Sequence, residues 1–158
     1  MKHSLKTGLC FGLTSAIITT LGLMVGLHSF TGSKAVIIGG ILTIAIADAF
    51  SDALGIHISE ESEAVHSDKE IWESTLTAFF TKFLFALTFL IPVFIFDLAT
   101  SILVGVVWGL LVLTMLCIFI AKEQNEKSFK IVIEHLTIAI IVIVITHYFG
   151  DWIATIFT

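Results

Sequence analysis

"AVIIGGILTIAIADAFSDALGIHI", residues 35–58, decides the fold: it is 24 residues long, lacks proline, and carries no charged side chain except Asp48 and Asp52. A helix needs about 20 predominantly apolar residues to cross the ~30 Å hydrocarbon layer of a bilayer. A barrel strand crosses in about 10 residues and is punctuated by turns, whereas this run continues unbroken. It reads as a transmembrane helix.

Four further runs of the same kind flank it, at about 9–28, 74–96, 102–121 and 131–156. With 57% hydrophobic and 13% charged residues and a mean hydropathy of +1.06, the composition is far from that of a soluble domain. The expected fold class is all-α: a polytopic membrane protein with five transmembrane helices in a single transmembrane domain, 1–158. The first run follows Met1, Lys2 and Lys6 but exceeds the ~7–15 apolar residues of a signal-peptide core, so it stays as a helix. Cys10 and Cys117 fall in apolar runs without paired spacing and read as small core residues. Pro92 predicts a kink in the third helix.

The chain has no arginine, and its lysines orient it, because positive residues near helix ends are retained on the cytoplasmic side. With the N-terminus cytoplasmic, that side holds Lys2, Lys6, Lys69, Lys122, Lys127 and Lys130, and the other holds only Lys34. Five crossings put the C-terminus on the outer side. The outer loops, 28–34 and 97–101, are too short to hold a domain, so soluble chemistry is expected on the cytoplasmic side.

There the segment "SEESEAVHSDKEIWE", 59–73, has six acids against one lysine. Free of proline and glycine, it is expected to extend the second helix, which sets Glu63, His66, Glu70 and Glu73 on one face with Glu60 at its edge and Glu61 nearby. Carboxylates with an imidazole suit a borderline divalent ion, and i, i+3 pairs such as Glu60/Glu63, Glu63/His66 and Glu70/Glu73 are how helical carboxylate sites are built. A solvated acidic loop would show the same composition.

An ionisable residue within hydrocarbon costs about 3 kcal/mol or more and is normally kept for a function. Asp48 and Asp52 share a helical stripe with Gly55 and Ser59, a polar lane leading to the acidic segment. Lys82 of the third run falls at a depth between the two aspartates and is expected to satisfy one of them, leaving the other for a cation. Met24 offers a thioether to a soft ion, although a lone membrane methionine is most often core filler. Gly8, Gly12, Ser15, Thr19, Gly22 and Gly26 form a small-residue stripe, expected at a close helix contact at or beside a two-fold axis. Glu134 and His135 lie near the cytoplasmic start of the last helix, and His147 and Asp151 near its outer end.

The stretches "GLTSAIITTLGLMVGL" (12–27), "DALGIHISEESE" (52–63), "FLIPVF" (89–94) and "ITHYFG" (145–150) resemble the vacuolar iron transporter family, the iron and manganese carriers of the vacuolar and nodulin-like type, with this chain a divergent short member. The resemblance implies a five-helix homodimer that moves Fe²⁺ or Mn²⁺ out of the cytosol in exchange for protons. It also implies a glutamate-rich metal-binding segment between the second and third helices, at Glu60, Glu61, Glu63, His66, Glu70 and Glu73. Where the family has an aspartate before the first-helix Gly-Leu and a glutamate after the second-helix glycine, this chain has Phe11 and Ile56. Asp48 and Asp52 are placed to take over.

The expected function is therefore export of a divalent transition-metal cation coupled to protons, with the metal as substrate, no organic cofactor and no nucleic acid partner. The alternative is a non-transporting membrane metal sensor or assembly partner whose Asp/Lys pair is structural. No phosphate loop, HExxH, nucleophile elbow or dinucleotide fingerprint is present, so no enzyme is expected. The location is an integral multi-pass one, in the inner (plasma) membrane if the source is prokaryotic.

Overall fold

The computed structural model describes residues 2–124 and 127–157, and these are helical almost throughout. The elements are α1 (His3–Thr31), α2 (Lys34–Glu63), α3 (Asp68–Thr88), α4 (Leu90–Ile95), α5 (Leu98–Gln124) and α6 (Ser128–Phe157). With α3 and α4 joined as one span, Asp68–Ile95, five helices are long and apolar enough to cross a membrane. Each begins or ends a few residues beyond its apolar run, because polar residues continue the backbone ladder once it is established.

The helices alternate in direction, so α1, α3 and α6 begin at one end of the bundle, called here the near end. The turn at the far end between α1 and α2 is set by Gly32, whose φ of 58° is the left-handed conformation that only glycine adopts freely. Ser33 then caps α2 by accepting from the Val36 amide. Pro92 acts as expected: it has no amide to bond the Thr88 carbonyl, and the helix breaks at Phe89 before resuming as α4.

The acidic segment departs from its expected form. It is not one helical face: α2 ends at Glu63, Ala64 turns the chain with a φ of 54°, and α3 starts at Asp68. Ser67 and Glu70 form a capping box, each side chain bonding the other's backbone amide. Glu63 and His66 thus lie on one arm of a helical hairpin, and Glu70 and Glu73 on the other.

α1 is the central helix and packs against α2, α3, α5 and α6. The core gathers Ile17, Leu21 and Met24 of α1 with Ile41 of α2, Phe89 and Leu113 of α5. The glycines of the stripe meet other helices of the same chain, Gly8 and Gly12 against α3 and Gly22 and Gly26 against α6. A Cβ at Gly12 would meet the Ala78 carbonyl oxygen of α3 at 2.6 Å, and Gly8 is closed by the Ser74 carbonyl in the same way. Farther along, Gly26 and Gly150 bring α1 and α6 into backbone contact. Large apolar side chains such as Phe50, Leu103 and Trp152 point outward from the bundle, as suits a lipid surround.

Candidate cation pathway

Asp48 lies 14 residues from the start of α2 and 15 from its end, ~22 Å from either at 1.5 Å per residue. Asp52 is one turn nearer the acidic hairpin on the same stripe. Facing them, Lys82 of α3 is the largest fully buried side chain of the bundle, 1% exposed. Its ammonium lies 2.5 Å from Asp52 Oδ2, pairs with Asp48 Oδ2, and donates to Ser15 Oγ of α1 at 2.8 Å. The expectation that Lys82 serves one aspartate is corrected here: residues spaced i, i+4 on α2 present both carboxylates to a lysine that enters between them. Three helices thereby meet at one ammonium.

The fully ionised cluster has one positive and two negative charges, so a net negative charge is left inside the apolar span. Asp48 is the more open of the two carboxylates, its side chain 28% exposed against 17% for Asp52. It lines a groove of about 580 Å³ between α1 and α2, with the hydroxyls of Thr19, Thr43 and Ser51. Thr19 and Thr43 donate their hydroxyl protons to the carbonyls of Ser15 and Gly39, which leaves oxygen lone pairs available to the groove. Carboxylate and hydroxyl oxygens side by side form a surface that accepts cations or protons.

A second groove of about 400 Å³ opens at the near end between the same two helices, lined among others by His3, Phe11, Ile56, Ser59, Glu60 and Glu63. Phe11 and Ile56, which stand where the resemblance implies carboxylates, thus border one cavity. Glu60 is 8% exposed and accepts a hydrogen bond from Ser74 Oγ. Glu63 lies 3.2 Å from His66 Nε2.

Two of the remaining acids of the hairpin have structural partners. Glu70 is committed to the Ser67 cap. Glu73 accepts from Lys2 Nζ and from Ser4 Oγ, each at 2.9 Å, tying α3 to the first turn of α1. Glu61 is exposed. Among the described residues, no three His, Cys, Asp or Glu side chains converge closely enough to enclose a metal ion as they stand.

Met24 is in the apolar core beside Gly105, away from both grooves. Glu134 is exposed on α6, while His135 bonds the Ile131 carbonyl. At the far end, His147 bridges Ser29 of α1 and Asp151 of its own helix. Sequence reasoning passed over Ser15 as a partner of Lys82, and over Thr43 and Ser51 as groove oxygens. Their signal was present, since Thr43, Ala47 and Ser51 repeat four apart on α2 beside Asp48.

Comparison with protein-family models finds no match to this chain, and comparison with curated proteins finds none either.

Proposed function

We propose that this protein is a membrane carrier that exports a divalent transition-metal cation, Fe²⁺ or Mn²⁺, from the cytosol in exchange for protons. The observation that carries the reading is the Asp48–Lys82–Asp52 cluster, at the middle of apolar spans and beside an oxygen-lined groove. Lys82 neutralises one carboxylate, and the other requires a proton or a cation to rest in hydrocarbon. A proton and a cation that alternate on Asp48 are coupled by that requirement. Asp52 then relays between Asp48 and the near-end groove.

The lysines support a cytoplasmic near end, which would place the Glu60–Glu63 mouth on the side from which cargo is collected and both α6's end and the C-terminus outside. The resemblance to vacuolar iron transporters supports the choice of cargo and a homodimeric assembly.

One observation favours a second reading. Lys82 also holds Ser15, so the cluster ties three helices, and a non-transporting metal sensor or assembly partner would use it for that alone. Purified protein in sealed vesicles, with Mn²⁺ outside and a pH dye inside, separates the two. The carrier moves protons against Mn²⁺, and Asp48→Asn stops it. Vesicles silent to Mn²⁺ leave the non-transporting reading, whereas an Asp48→Asn variant as active as the parent leaves a carrier in which Asp48 is only a partner of Lys82.

A further inference from the structure

His3, in the first turn of α1, stacks on His66, in the turn between α2 and α3, with ring centres 6.3 Å apart and planes inclined by 22°. The two residues are distant in sequence, and both line the near-end groove together with Glu60 and Glu63. His66 Nε2 already faces the Glu63 carboxylate at 3.2 Å. The hairpin turn at Ala64 brings His66 back toward α1, and the bonds of Glu73 to Lys2 and Ser4 hold the residues on either side of His3 in place.

Two imidazoles on one first-row divalent ion, with metal–nitrogen bonds of about 2.1 Å, have ring centres roughly 5–6 Å apart. The observed separation is slightly wider, and His3 is exposed, so rotation of its side chain is free to close the gap. Two neutral imidazoles with a carboxylate suit a borderline ion such as Mn²⁺, Fe²⁺ or Zn²⁺, and they disfavour Mg²⁺ and Ca²⁺, which take oxygen ligands.

We infer that His3, Glu63 and His66, with Glu60 behind them, are the receiving site for a divalent transition ion. Glu70 and Glu73 are not ligands: the first caps α3, and the second is a positioning residue that places the first turn of α1. The inference deepens the carrier reading by naming the ligands at its mouth and rests on that reading for the ion's onward passage, while the binding itself is independent of transport.

The test is Mn²⁺ titration of the full chain in detergent, read by calorimetry and by electron spin-echo modulation from imidazole nitrogen. The parent is expected to bind Mn²⁺ with nitrogen modulation and to keep it in excess Mg²⁺. His3→Ala weakens binding at least tenfold and reduces the modulation, whereas Glu70→Gln leaves both unchanged. A parent that binds no Mn²⁺, or a His3→Ala variant with the parent's affinity and nitrogen signal, overturns the inference. Binding with two imidazoles but no flux in vesicles upholds it and removes the carrier reading instead.

Discussion

Lys82 of α3 and Asp52 of α2 approach to 2.5 Å in the interior of the bundle, and the same ammonium is shared with Asp48 one turn away. One lysine thus answers two carboxylates where water is scarce. Removing the lysine makes the cluster more negative, and removing an aspartate makes it less so.

Lys82→Met leaves both aspartates without a counter-ion in a buried setting, a loss of about 3 kcal/mol or more. Thermal unfolding in detergent should show a clear drop, and adding Asp52→Asn to Lys82→Met should recover part of it. If the double variant is no more stable than the single, the pair is not the source of the cost.

Asp48→Asn retains the shape of the side chain and removes the charge that Lys82 does not need. It should abolish Mn²⁺-driven proton movement in vesicles while leaving Mn²⁺ binding by the detergent-solubilised chain within about twofold, an energy difference of roughly 0.4 kcal/mol. Loss of both together would place the first encounter with the ion at Asp48, not at the near-end groove.

Two glycines in helices should respond in opposite directions. Gly12→Ala drives a methyl group against the Ala78 carbonyl and should destabilise the fold by about 1–3 kcal/mol. Gly39→Ala meets no atom within 4 Å and should stabilise by up to about 1 kcal/mol through helix propensity. Melting curves of the two variants check the pair, and equal shifts would refute the assignment of Gly12 to a backbone contact.

Ala64 holds a left-handed conformation that costs a non-glycine residue about 1 kcal/mol. Ala64→Gly should relieve that strain and raise stability by a few tenths of a kcal/mol or more, even after the added freedom of the unfolded chain. A lower melting temperature would mean that the turn is held differently.

Asp97 accepts the Thr100 amide at 3.1 Å at the start of α5, and this bond holds its carboxyl below the ordinary value of 3.8. A lowered native pKa contributes stability that is complete above the ordinary value and is lost as pH falls through the native one. The difference in stability between parent and Asp97→Ala should therefore be constant near neutrality and shrink only below about pH 4. Melting temperatures across that range test the sign.

The five long helices were legible because run length and apolarity are local properties: 35–58 needs no partner to be recognised as long and apolar enough to cross a membrane. Pro92 was legible for the same reason, since the missing amide acts within its own helix. The hairpin at 64–67 was missed because Ala64 carries no mark of a left-handed turn, although Ser67 and Glu70 spell a capping box that signals a helix start. That omission dispersed the expected metal face, since residues 63 and 70 share a face only if the helix between them is unbroken.

The sequence by itself determined that the chain forms long apolar helices, that two aspartates and a lysine enter them, and that one stripe of α1 permits close approach. Tertiary structure decided what those features meet. It spent the glycine stripe on α3 and α6, gave Lys82 both aspartates, and set His3 beside His66. The reason is physical: periodicity along a helix tells which side chains share a face, while the partner on that face depends on how separate helices pack, and that is settled by steric fit and charge pairing between segments far apart in the chain.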